Sequence, residues 1–411
     1  MSATAPGDPD EGVFAAWLAE RVGDYARREV HEDEELSEWG LDSVALFGLF
    51  GDIEEEFGPL LDPADIWAHP TIRDLARYLA MRHGMGRHSG RVRAAFVFTG
   101  QGCQHPRMTA GLHAALSAYR RHLAEVDEAI GPYLGRSVRD LILDGDPRVH
   151  QTALTQPALF AVGYALAMTL LEEEGVRPVA VLGHGIGEVA AAVVAGAMSL
   201  ADAARLVCFR GSYMQYLPSG GGMIATCASP FEATDAAAAE PEVSIAAYNA
   251  ARATVLAGPV EGLERVRERL ASVGISSTFL QVTHAFHSPL MEPVTPRFEE
   301  AARHVPSGEP LLPYYSTVYG RRYCEPLTTA YWTAQITAPV RFADAARRML
   351  AQQAPSHVVE IGPKAVLTPF LRRMAGARGP ACLAACRSPE SNAVDLAGVL
   401  SQLDAGPLAE I

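Results

Sequence analysis

Hydrophobic positions change their spacing twice along the chain. In residues 11–30, Phe14, Trp17, Leu18 and Val22 recur at helical spacing. Val44, Leu46, Phe47, Leu49, Phe50 and Ile53 form a second, broader apolar face that Gly58 closes. Pro70-Thr71 opens a further helix carrying Ile72, Leu75, Ala76 and Leu79. Residues 1–85 therefore read as a small all-α unit, expected to hold four helices. Residues 83–93 are rich in Gly and Arg, which breaks the pattern and places a linker over 86–93.

From Ala94 short apolar runs alternate with long helical patterns. Ala95-Phe96-Val97-Phe98 ends at Thr99-Gly100-Gln101-Gly102, and Val179-Ala180-Val181-Leu182-Gly183 leads directly into a helix over 188–195. Strands alternating with helices predict an α/β domain with a mostly parallel sheet over 94–411. Between 222 and 282 the elements shorten: a strand at 223–227, a helix, strands at 244–248 and 254–258, a helix at 260–273 and a strand at 277–282. That order predicts a ferredoxin-like insert. The core of the domain is then 94–221 and 283–411, with the chain rejoining the main sheet near 356–361. The longest apolar stretch, 153–171, contains Gln156 and Pro157 and lies inside the strand–helix alternation, so a buried helix is expected rather than a membrane span.

Composition agrees with a multidomain globular chain. It has 411 residues, 49% hydrophobic and 20% charged, enough to bury a sizeable core and incompatible with disorder or collagen. The net charge of −14 argues against a nucleic-acid footprint. The charge is lopsided. Residues 1–85 hold 19 acids and 6 bases, whereas 86–411 hold 29 and 28. Six cysteines without a CxxC pair, and an N-terminus without a basic and then apolar run, point to free thiols in a reducing cytoplasm.

The first candidate for chemistry is Ser43. Asp42 and Ser43 suit a helix N-terminus as capping residues. In their acidic helical context, with Gly40-Leu41-Asp42-Ser43 and the later Asp65-Ile66-Trp67 and His69-Pro70-Thr71, they also resemble acyl and peptidyl carrier proteins. The resemblance implies that Ser43 carries 4′-phosphopantetheine. An acidic surface would suit Arg-bearing partners.

The second is Gly183-His184-Gly185-Ile186-Gly187-Glu188, between a strand and a helix. It has the form of the nucleophile elbow Gly-x-Ser-x-Gly, with glycine at the central position. Glycine accepts the strained backbone of that turn but offers no oxygen to acylate.

Six further motifs follow the same order as in one family: Phe98-Thr99-Gly100-Gln101-Gly102, Thr155-Gln156-Pro157, Arg210-Gly211 with Met214-Gln215, His284-Ala285-Phe286-His287, Pro339-Val340-Arg341-Phe342 and Glu360-Ile361-Gly362-Pro363. With the elbow, they resemble malonyl-CoA:acyl-carrier-protein transacylases and the acyltransferase domains of polyketide synthases, over about 94–390. The whole chain is then expected to be a carrier domain (1–85), a linker (86–93) and an acyltransferase domain (94–411).

That resemblance implies a role for each residue. His287 would be general base and then acid. A backbone carbonyl, assigned by alignment to Gln335, would orient it. The backbone N–H groups of Gln101 and Ile186 would form an oxyanion hole. Gln156 and His184 would line the pocket, and Arg210 would hold the free carboxylate of a malonyl group bidentately. Phe286 and Ile186 are similar to malonyl-selecting versions, since methylmalonyl-selecting relatives tend to carry Tyr-Ala-Ser-His and Gln there. The expected partners are CoA thioesters, malonyl-CoA first, an acyl carrier protein (its own or another) and polyketide or fatty-acid-type synthase enzymes. No nucleic acid, membrane or metal is expected, because no Cys, Asp or Glu completes a ligand set beside His284 and His287.

Three readings of Gly185 stand open at this point: an acyltransferase whose nucleophile has been replaced, a natural non-catalytic module that binds malonyl thioesters or carriers, and a protein in which Cys103 substitutes as nucleophile. Geometry disfavours the third, since the thiol is one loop away from the elbow.

Overall fold

The computed structural model describes residues 11–28, 30–34, 39, 41, 45, 48–49, 52–53, 56, 71–79, 92–173, 175–282, 284–306, 308–376 and 379–403. Asp42, Ser43 and residues 57–70 lie outside them, as does the C-terminal end of the helix that Gly58 was expected to close. The chain divides into two compact units, Met1–Arg91 and Val92–Ile411.

In the first unit the helix Glu11–Ala26 and a helix over 72–79 are described, together with single helical residues between 45 and 56. Their apolar faces meet: Phe14, Leu18, Val22, Trp39, Leu49, Ile53, Ile72, Leu75 and Leu79 form one buried cluster. The predicted helical periodicity thus builds a helical core without strands among the described residues. Trp39 satisfies its indole N–H by donating to the Glu34 carbonyl at 3.1 Å.

The second unit is α/β. Its main sheet has six strands in the order β10-β9-β1-β2-β7-β8: β1 Ala94–Phe98, β2 Ala180–Gly183, β7 Tyr314–Ser316, β8 Arg321–Tyr323, β9 His357–Ile361 and β10 Ala381–Ala384. All pairs are parallel except β7 with β8. Every residue of β1 and β2 is buried, as a central parallel strand covered on both faces requires. The helix Thr152–Met168 is buried along nearly its whole length against β1 and neighbouring helices, which accounts for its apolar run without a membrane.

The insert is a four-stranded antiparallel sheet in the order β4-β5-β3-β6: β3 Gly221–Thr226, β4 Ser244–Ala250, β5 Ala253–Pro259 and β6 Ser277–Phe279. Helices Pro230–Ala237 and Val260–Ser272 follow β3 and β5, which is the ferredoxin-like arrangement. β6 is shorter than its apolar pattern suggests. A tight turn, with the Val282 N–H donating to the Leu280 carbonyl at 2.9 Å, takes the chain out of the sheet. The insert is tied to the main body at β4, where Tyr248 N–H donates to Val340 O at 2.9 Å and Val340 N–H to Ala246 O at 2.8 Å.

Candidate active site

β1 and β2 are parallel neighbours in register Phe98↔Gly183, so the residues that follow them, Gln101 and Ile186, emerge at the same carboxyl edge of the sheet. Such an edge is where open α/β sheets place ligands. The turn after β2 is tight: Gly187 N–H donates to His184 O at 3.0 Å and Glu188 N–H to Gly185 O at 3.0 Å. A Cβ at Gly187 would stand 2.6 Å from both the Phe98 and Thr99 carbonyl oxygens, and one at Gly183 would collide with the backbone of Glu188. The flanking glycines are therefore demanded by backbone contact. Gly185 is the apex, at φ +53. Ile186 caps the helix Gly187–Val194, where the leading backbone N–H groups have no partner within the helix.

His287 faces this apex. The position of a Cβ on Gly185 lies 3.2 Å from His287 Nε2, with no heavy atom other than the imidazole within 4 Å beyond its own chain neighbours. The ring is held from behind, its Nδ1 3.0 Å from the Ala338 carbonyl. The sequence expectation placed this role on Gln335 alone. The Ala338 carbonyl, just past the helix Thr329–Thr337, makes the contact at 3.0 Å, with the Gln335 carbonyl as a second backbone acceptor. A helix end exposes free carbonyls, and Ala338 has extended backbone at ψ 140, which turns its oxygen out of the helical ladder. Nδ1 must donate to that carbonyl, so Nε2 is left as the free lone pair. Burial, Arg210 and His184 together push the imidazole down to about 3, so it is neutral. His287 itself is left-handed at φ +57, a conformation uncommon for a side-chain-bearing residue and one that the surrounding contacts must hold.

Gln335 has a second role beside the one its alignment suggests. Its side-chain Nε2 donates to Gly185 O at 2.6 Å and to Glu188 Oε2 at 3.1 Å. Its side chain anchors the elbow, while its backbone carbonyl serves the histidine.

Arg210 projects from the helix Leu200–Gln215 and is 3% exposed. Its Nε has no hydrogen-bond partner, and no carboxylate pairs with it among the described residues. Burial lowers it to about 10, with Glu188 pulling the other way. Gln156 is fully buried nearby; its Nε2 donates to Gln101 Oε1 at 2.9 Å while its Oε1 is unpartnered. A buried guanidinium with a free donor is costly unless an anion meets it. His184 donates through Nε2 to Asn249 Oδ1 at 2.9 Å, and Phe286 is buried beside His284, whose Nε2 meets the Leu217 carbonyl at 3.2 Å.

Glu188 is buried within the first turn after the elbow. Oε1 accepts from the Thr317 N–H at 2.6 Å and from the Tyr331 hydroxyl at 3.1 Å. Burial outweighs these donors and raises its carboxyl to about 7. Unfolded, the same group ionises near pH 4.5. Its contribution to stability is complete below that pH and is lost as pH rises through about 7. Comparing thermal unfolding of the chain with Glu188→Gln across pH 4 to 8 should show the parent losing about 1–3 kcal/mol relative to the variant over this window. A constant difference would contradict it.

Cys103 cannot act as the nucleophile. It is fully buried, bonded to Thr99 Oγ1 at 3.2 Å and to the Gly100 carbonyl at 3.1 Å, and burial pushes its thiol up to about 12. A thiol so buried stays protonated and unreactive. Among the described residues no three His, Cys, Asp or Glu side chains are placed to hold a metal ion.

Three contributors escaped sequence reasoning. Ala338 acts through its backbone, and Asn249 arrives from the insert through β4; neither leaves a side-chain pattern to read. Glu188 did leave one, as the lone charge in Gly187–Val194, GEVAAAVV. A single carboxylate on an otherwise apolar buried helix implies waiting donors.

Residues 95–387 match the family described as Acyl transferase domain, and residues 16–79 match the one described as Phosphopantetheine attachment site. The chain is 38% identical over 302 residues to the polyketide synthase GfsB of Streptomyces halstedii, covering 72% of this chain and 5% of that protein. It is 40% identical over 274 residues to the mycoketide-CoA synthase of Mycobacterium tuberculosis, covering 66% and 6%. The chain thus spans about a twentieth of the length of these relatives. Among solved structures, the acyltransferase domain from the second module of the salinomycin polyketide synthase superposes with TM-score 0.75 at 30% identity, over 99% of this chain and 94% of that one. A malonyl-CoA:acyl carrier protein transacylase from Xanthomonas oryzae gives 0.68 at 28%, over 76% and 98%.

Proposed function

The chain belongs to the acyl transferase domain family, and from that premise we propose that its Val92–Ile411 unit binds a malonyl thioester in a frame built for acyl transfer whose serine nucleophile is missing at Gly185. Arg210 takes the free carboxylate. The thioester carbonyl lies toward the backbone N–H groups of Gln101 and Ile186, with His287 beside it, Gln156 and His184 lining the pocket and Phe286 narrowing it against branched acyl groups. Without an oxygen at 185 there is no acyl-enzyme and little transfer. The unit's partners are CoA thioesters and an acyl carrier, its own or another, within a polyketide or fatty-acid-type synthase. Cytoplasmic placement belongs to the same reading, on the strength of six free thiols.

The buried, unpaired Arg210 carries this reading. Calorimetry should find malonyl-CoA bound at least 10-fold more tightly than acetyl-CoA, a preference that Arg210→Ala abolishes. Arg210→Met, which keeps most of the volume and removes the buried charge, should leave the unliganded unit at least as stable as the parent. Equal affinities in the parent chain would defeat the assignment.

The N-terminal unit supplies the carrier. Ser43, inside the matched phosphopantetheine span, is the expected attachment point. Incubation with coenzyme A and a broad phosphopantetheinyl transferase should modify Ser43 alone, read by peptide mass spectrometry and lost in Ser43→Ala. The alternative, a natural module that presents its carrier to other synthase enzymes without catalysis, shares the binding site. The two readings part over whether the rest of the site still transfers an acyl group once an oxygen stands at position 185, which the first experiment of the Discussion separates.

A further inference from the structure

We propose that this unit hydrolyses malonyl thioesters by direct attack of water, with the water occupying the place above Gly185 and His287 as its general base. The proposal rests on malonyl binding through Arg210 and adds a reaction to it.

Three observations converge on that point above Gly185. Space comes first: apart from the imidazole of His287, no atom outside the adjoining residues lies within 4 Å of where a Cβ would stand. Glycine leaves this side of residue 185 free of side-chain atoms, so a water held by the imidazole has its seat there. The second is direction. Nδ1 of His287 is committed to the Ala338 carbonyl at 3.0 Å, so the lone pair of Nε2 points at this seat from 3.2 Å. The third is placement, since the seat adjoins Ile186 at the head of the helix Gly187–Val194, and the backbone N–H of Ile186 is the one the proposed oxyanion hole uses.

The step balances without a covalent enzyme intermediate. The water oxygen bonds to the thioester carbonyl carbon as its proton passes to His287 Nε2. The oxyanion of the tetrahedral adduct is held by backbone N–H groups. Collapse breaks the carbon–sulfur bond, and the proton on Nε2 goes to the departing sulfur. The products are a free thiol and malonate, whose new carboxyl gives its remaining proton to solvent. Nothing is oxidised or reduced, and water is the only co-reactant.

Arg210 couples substrate choice to this base. Its charge is one of the causes that hold His287 far below the usual imidazole range. Burial is the larger cause and stays, but a malonyl carboxylate paired with Arg210 offsets the charge and so raises the basicity of Nε2 when substrate is present. An acetyl thioester leaves the guanidinium bare and the base weak, so malonyl and acetyl substrates should differ in kcat as well as in KM.

The test uses the full chain, produced without a phosphopantetheinyl transferase so that no carrier thiol competes. Thiol release from malonyl-CoA is followed together with intact mass and calorimetric binding. Saturable release is expected, with no malonyl adduct on the protein and with oxygen from labelled water in the malonate. Gly185→Ala puts a methyl group into the seat and should lower kcat at least 10-fold. His287→Asn removes the base with a residue that tolerates positive φ, and should do the same. Each variant is retained only if it still binds malonyl-CoA, which shows that it is folded. Binding without release above that of His287→Asn would overturn hydrolysis and leave the binding reading intact. A covalent malonyl adduct would also overturn the direct route, and no binding at all would overturn both readings.

Discussion

Gly185→Ser is expected to turn the chain into a self-acylating protein. The serine Cβ would stand 3.2 Å from His287 Nε2, close enough that a small shift of the imidazole lets Oγ donate to it. The base is already neutral and already oriented by Ala338, so no other part of the relay needs to be added. Serine at φ +53 costs about 1–2 kcal/mol of backbone strain, which a unit of this size tolerates. After mixing with malonyl-CoA, intact mass should show one malonyl group per chain, formed at least about 10³-fold faster than on the parent. Adding His287→Asn should slow acylation at least about 100-fold. If Gly185→Ser binds malonyl-CoA and stays unacylated, the frame has lost transfer chemistry and the non-catalytic module becomes the correct description. With phosphopantetheine on Ser43, the adduct should also pass to the carrier.

Gly187→Ala is expected to cost the second unit on the order of 3 kcal/mol or more, lowering its thermal midpoint by about 4–5 °C or more. The added methyl would stand 2.6 Å from two carbonyl oxygens, Phe98 O and Thr99 O, and 2.9 Å from the Phe98 carbonyl carbon. Backbone cannot swing aside as a side chain does, and Phe98 is held in register with Gly183 and Ile361 on its two sides. β1 and the helix after the elbow must therefore separate. Gly398→Ala is the control. It sits in the helix Ala393–Gln402 with nothing within 4 Å of its Cβ position, and should be stabilising by about 0.5–1 kcal/mol. Equal midpoints for the two variants would show that the elbow does not depend on this approach.

Much of this was legible in the one-dimensional pattern. Period-3.6 apolar faces foretold the helical head, and continuous apolar runs such as Ala95 to Phe98 foretold buried parallel strands, because a strand covered on both faces has no polar side to show. The strand and helix order of the insert foretold its ferredoxin-like sheet. The strands β7 and β8, with three residues each, were not foreseen: runs so short have no periodicity to detect and are recruited by the edge they pair with.

At the site, the sequence by itself determined which side chains are available: an imidazole at 287, a guanidinium at 210, and no oxygen at 185. Only the tertiary structure decided how they are used. It chose the Ala338 carbonyl over that of Gln335 as the histidine's main partner, a choice invisible to residue type because every residue carries the same carbonyl. It gave the Gln335 side chain to the elbow and brought Asn249 across from the insert. It also left the Arg210 Nε buried with no hydrogen-bond partner among the described residues, since pairing and burial depend on what the fold brings within a few ångströms and not on neighbours along the chain.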